Sequence, residues 1–79
     1  MSMTKTPLKI RRYVDYDIPD LDKRLKEARK RSPKTITELA AEAGMSVANW
    51  YRIEGGNVDY LPETTLQAME AALGETFAE

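Results

Sequence analysis

The sequence predicts an all-α domain of four helices preceded by a short strand. Three observations predict it. Apolar residues recur at helical spacing in four separate stretches. Capping residues stand where these stretches begin, and glycines end three of them. With 79 residues and no cysteine, the chain has room for one small domain around one core.

Residues 1–8 are small and polar, interrupted by Pro7, and no regular structure is expected there. In "KIRRYVDYD", residues 9–17, Ile10, Arg12, Val14 and Tyr16 alternate with Arg11, Tyr13 and Asp15, the period of a strand. A lone strand leaves its backbone groups unsatisfied, so it needs a partner. That partner is either its symmetry mate in a homodimer or the C-terminal tail of the same chain.

The first helix opens behind Asp20 as N-cap, with Asp22 at the positive end of its dipole. Leu21, Leu25 and Ala28 make its buried stripe, and Pro33 closes it near Arg31 or Ser32. Thr35 and Glu38 form a capping box, so a second helix starts at Ile36. Its inner face is Leu39, Ala40 and Ala43, and Gly44 ends it.

After Met45 alone, Ser46 caps a third helix of about residues 47–54. Met45 and Trp50 have the spacing of a hydrophobic staple. Ser46, Trp50 and Ile53 share the inner face, and Gly55 and Gly56 terminate the helix. "NVDYLP" reads as a loop that brings Pro62 to the first turn of a fourth helix. Leu66, Met69 and Leu73 stripe that helix, and Gly74 ends it. The chain thus divides into an arm at 1–17, a helical domain at 18–74 and a tail at 75–79.

Composition excludes much chemistry. Without cysteine or histidine there is no disulfide framework, thiol nucleophile, histidine base or cysteine-ligated zinc. No nucleophile–base set or glycine-rich phosphate loop is present, so no catalytic residue, cofactor or metal is expected, and the protein reads as no enzyme. No apolar run approaches the roughly 20 residues that span a bilayer, and no apolar leader is recognisable, so a soluble cytoplasmic protein is expected.

Charge is unevenly spread. Residues 1–34 carry eleven basic and five acidic side chains, a net +6. Residues 35–79 carry Arg52 against eight carboxylates, a net −7. Such a split suggests a basic end that meets polyanions; a solvated helix face with compensating pairs is the alternative.

The run "TELAAEAGMSVANWYRIEGG…LPETTLQAMEAALG" resembles the lambda-repressor-like helix-turn-helix family, also called the xenobiotic-response-element (XRE) or Cro-like type. Leu39 and Ala40 match its second-helix packing positions, Gly44 its turn and Met45 its apolar post-turn position. Ser46 matches its recognition-helix cap, Ile53-Glu54 its frequent Ile-Glu pair and Leu73-Gly74 its closing Leu-Gly. The similarity covers about residues 20–74. It implies a transcription regulator, repressor-like, that binds double-stranded DNA as a homodimer in a bacterial, phage or plasmid context. The chain departs from the family at Ile36, where a DNA-contacting Gln is frequent, at the acidic Asp59, and in nearly stopping before a fifth helix.

Helical geometry and the resemblance agree on the reading face. Ala48, Tyr51, Arg52 and Gly55 point away from the core, with Val47 on the flank. Arg52 suits guanine O6/N7, Val47 and Ala48 a thymine methyl, and Tyr51 a phosphate. Backbone N–H groups near Thr35 to Thr37 and Ser46 to Ala48 suit phosphates, helped by Lys34. The expected DNA-binding set is therefore Lys34, Thr35, Thr37, Ser46, Val47, Ala48, Tyr51 and Arg52.

Lys5, Lys9, Arg11 and Arg12 are expected along the DNA backbone. Ile10, Val14, Tyr16 and Phe77 are expected at a dimer contact. Asn49 is expected to bond within the domain, and Arg52 has a nearby carboxylate as its alternative partner. A protein–protein interaction module on the same scaffold is the competing function, favoured by the scarcity of cations in residues 35–79.

Overall fold

The computed structural model describes residues 8–11, 16–58 and 60–77. It contains four helices: α1 (Leu21–Arg31), α2 (Ile36–Glu42), α3 (Val47–Glu54) and α4 (Glu63–Leu73). Their ends fall where the caps place them. The Thr35 hydroxyl accepts from the Glu38 N–H at 3.1 Å while the Glu38 carboxylate accepts from the Thr35 N–H at 2.8 Å, a closed capping box. The Ser46 hydroxyl accepts from the Asn49 N–H at 3.0 Å. Gly44, with φ 72°, makes the left-handed turn that separates α2 from α3 by so few residues.

The strand expected over 9–17 is instead two strands, β1 (Leu8–Arg11) and β2 (Tyr16–Ile18), paired antiparallel with Leu8 opposite Ile18 and Ile10 opposite Tyr16. The stretch read as a loop contains a third, β3 (Tyr60–Pro62), which runs parallel to β1 with Ile10 opposite Leu61. In the order β2-β1-β3, β1 is central and has both edges paired within the chain. Neither the symmetry mate nor the tail is therefore needed to complete β1. Pro62 fits because β3 lies at an edge, where a missing N–H is tolerated.

Three further expectations are corrected. Asp20 occupies the N-cap position with φ 56°, but its side chain does not cap α1; its carbonyl accepts from the Arg24 N–H at 2.9 Å. On α4 the buried set is Leu66, Met69 and Ala72, with Leu73 half-buried, because this helix packs against α2 and β3 together. Phe77, expected at a dimer contact, is buried in the core of its own chain. Its N–H donates to Glu70 Oε2 at 2.8 Å, and the tail is further held by Arg31, whose Nη2 lies 2.8 Å from both Glu75 oxygens.

The core joins all four helices through Leu21, Leu25, Leu39, Trp50, Ile53, Leu66 and Met69, each essentially without exposure. Two charged groups are buried with it among the described residues, Asp22 at 3% exposure and Glu54. Glu54 is 8% exposed, one turn beyond Trp50, whose exposure is 0%. Glu54 Oε2 accepts from Trp50 Nε1 at 2.6 Å and from Arg29 Nε at 2.6 Å, while Oε1 accepts from Arg29 Nη2 at 3.1 Å. Burying a carboxylate is costly unless its lone pairs are filled, and here three N–H groups fill them. The same hydrogen bond raises the Arg29 pKa against partial desolvation. Because the folded value is raised, the stability that comes from the Arg29 shift is complete below arginine's ordinary range and is lost as the pH rises through the raised value.

Two substitutions check this core. Trp50→Ala should cost about 3–5 kcal/mol through the cavity it leaves. Glu54→Ala should cost about 3–5 kcal/mol by leaving Arg29 and the indole N–H without their acceptor. Denaturant midpoints within error of the parent protein would refute both assignments.

Candidate nucleic-acid interface

Helix α3 is fixed from its inner side. Trp50 and Ile53 are in the core and Glu54 is tied to α1 through Arg29. The opposite side of a helix so anchored must face outward. Ala48, Tyr51, Arg52 and Gly55 are exposed there, with Val47 half-buried. Tyr51, at 48% exposure, keeps its ring over the Arg29 guanidinium, 5.5 Å from its carbon to the ring centroid.

Arg52 is held within α3 rather than by a carboxylate. Its Nη2 donates to Asn49 Oδ1 at 2.9 Å. Asn49 in turn places its amide 3.8 Å from Met45 Sδ, so the expectation that it bonds within the domain describes its contacts. The remaining guanidinium N–H groups of Arg52 belong to an exposed side chain and are open to solvent.

The start of α2 is more heavily used than the sequence implies. The capping box occupies the Thr35 N–H, its hydroxyl and the Glu38 N–H. First-turn N–H groups at Ile36 and Thr37 keep no intrahelical acceptor, and Thr37 is exposed, but the Glu38 carboxylate beside them opposes an anion. At α3, Ser46 is exposed rather than inward, and its hydroxyl is engaged by Asn49. The N–H groups of Val47 and Ala48 are left at that helix start.

Lys34 does not join this group as a free cation. Its Nζ donates to Glu42 Oε1 at 2.7 Å and to the Ala72 carbonyl at 3.1 Å, which ties α2 to the last turn of α4. The arm cations divide: Lys9 and Arg11 belong to β1, while Lys5 and Arg12 lie outside the described residues. Of the expected dimer set, Ile10 and Tyr16 are opposite each other in the β1–β2 register, and Val14 lies outside the described residues, as does Asp59.

A notch of about 270 Å³ between α1 and α3 is lined by Lys26, Arg29, Tyr51, Glu54 and Gly55. Sequence reading misses it because Glu54 looks like a surface carboxylate. Its position four residues after the buried Trp50 is the signal that it faces inward. Among the described residues, no group of three or more potential metal ligands occurs, and no helix is long and apolar enough to cross a membrane.

A family model described as "Helix-turn-helix domain" matches residues 21–79, the greater part of the chain. Comparison with curated proteins and with solved structures gives no match. The family match spans all four helices and agrees with the lambda-repressor-like resemblance carried by the turn at Gly44 and the cap at Ser46. The chain belongs to the helix-turn-helix domain family.

Proposed function

We propose that this protein is a sequence-specific regulator that binds duplex DNA as a homodimer, with α3 in the major groove. The observation that carries this reading is the two-sided character of α3. One side is fixed by Trp50, Ile53 and Glu54, and the other offers Val47, Ala48, Tyr51 and Arg52. A major groove about 12 Å wide admits such a helix. Arg52, oriented by Asn49, reads a guanine through its free guanidinium edge. Val47 and Ala48 offer small apolar contacts to a thymine methyl, and Tyr51 reaches a phosphate. Thr35, Thr37 and Ser46 line the helix starts that meet the backbone. Lys5, Lys9, Arg11 and Arg12 add attraction that does not depend on sequence. Such a regulator works in the cytoplasm of a bacterium, on chromosomal, phage or plasmid DNA.

A homodimer is proposed because one α3 reads few base pairs, and two-fold pairing doubles the site. Among the described residues β2 is an edge strand, and its outer edge is the surface proposed for that pairing, with Ile10 and Tyr16 in register and Val14 between them in the sequence. A second reading, a protein-interaction module, is favoured by one observation: Glu38 and Glu42 neutralise the α2 region that would otherwise attract phosphate.

Selection of bound sequences from a random DNA pool tests both. A palindromic site with half-sites about 34–36 Å apart, bound by two chains, is expected. Recovery of no preferred sequence would favour the interaction module. Arg52→Ala should cost about 1–3 kcal/mol on the selected site and relax the preference at one base position per half-site. Unchanged affinity and preference in a folded Arg52→Ala protein would remove α3 as the reader.

A further inference from the structure

Helix α1 has two chemically distinct flanks, and the difference lies in which cations are already occupied. Arg24 stands over the Phe77 ring at 5.3 Å, and Arg31 is paired with both oxygens of Glu75. Glu27 lines the same cleft as these residues. With Glu27 and Glu75 beside Arg24 and Arg31, this flank carries no net charge. On the side towards α3, Arg29 is occupied by Glu54. Lys23, Lys26 and Lys30 are exposed and have no ion-pair or hydrogen-bond partner among the described residues.

At 100° per residue these three lysines fall within an arc of about 60°, and at 1.5 Å per residue they run for about 10 Å. Lys26 stands at the notch it shares with Tyr51 and Gly55, so the row is continuous with the exposed side of α3. We propose that Lys23, Lys26 and Lys30 form a rail for the phosphate backbone of duplex DNA, flanking the groove that α3 enters. This inference rests on the duplex-DNA reading of α3 and names a surface of the helical domain that adds to the sequence-independent attraction of the arm.

The chemistry favours a nucleic-acid backbone over an acidic protein. A duplex presents about one charge per 1.7 Å of axis, so a row of flexible ammonium groups meets phosphates in many registers. A protein interface needs apolar anchors at its centre. Tyr51 is the one large exposed apolar side chain described beside this row, and it belongs to the α3 side. The rail also accounts for how α2, with Lys34 paired and its first turn closed by Glu38, can contribute little attraction.

The test is binding of the full chain to a mixed-sequence duplex of about two helical turns across a salt series, with no operator required. Replacing Lys23, Lys26 and Lys30 together by Gln should make the log–log salt slope shallower by about 0.9 for each phosphate no longer neutralised, or roughly two to three units in all. Because none of the three is paired among the described residues, the melting temperature should not move, and the triple Lys→Arg protein should keep the parent slope. An unchanged slope in the Gln protein overturns the rail, and if Arg52→Ala still relaxes sequence preference, the rail alone is wrong. Failure of the parent chain to bind the duplex at low salt overturns the rail and the DNA-binding reading together, and an acidic protein partner then becomes the better occupant.

Discussion

A carboxylate inside a 79-residue protein dictates much of what surrounds it. Glu54 can be buried because Trp50 and Arg29 both donate to it, and those donors come from α3 itself and from α1. The three groups must keep their spacing, so the two helices cannot slide past each other without stranding a charge. Asp22 adds a second close approach, between α1 and the turn that ends α3: a Cβ on Gly56 would lie 3.1 Å from Asp22 Oδ2. The exposed side of α3 is thus set by interactions made on its hidden side. In so small a core, hydrophobic contact alone would fix this orientation less sharply, because apolar packing has no direction.

The same pairing logic sorts most of the described basic side chains by type, Lys34 being the lysine that is paired. Arginines 24, 29, 31 and 52 each have a specific partner: a ring, a buried carboxylate, a tail carboxylate and an amide. A planar guanidinium rewards such fixed geometry, whereas a lysine ammonium loses less by remaining hydrated. Net charge is therefore a poor guide to attraction here. Much of the +6 of residues 1–34 is engaged inside the fold, and the cations that α1 leaves unpaired among the described residues lie along one side of it.

All four helices are legible in the sequence because each carries its own stripe and most carry their own caps. These are local signals, and Thr35, Ser46, Gly44 and Gly74 act as their chemistry predicts. The sheet is legible only in part: strand periodicity over 9–17 is read, but neither its division into β1 and β2 nor the existence of β3 is. Strands of three or four residues hold too little pattern, and Tyr60–Pro62 becomes a strand only because β1 lies beside it. Of the candidate site, the outward set on α3 can be read from periodicity. Partnerships across elements cannot: Lys34 with Glu42 and Ala72, Phe77 with the core, and Glu54 with Arg29 all join residues whose proximity depends on the finished fold.

The parallel pairing of β1 with β3 has a kinetic consequence. It sets Lys9 opposite Tyr60, far apart along the chain, so closing that loop carries a large entropy cost. Contacts between α2 and α3 and within their turn span only a few residues. Assembly should therefore begin in the central helices and end with the N-terminal hairpin docking onto β3. The segment at 60–62, between α3 and α4, gains its strand partner last. Events that peel the hairpin away would begin at this sheet and leave the helical nucleus standing, so the two parts of the molecule need not open together.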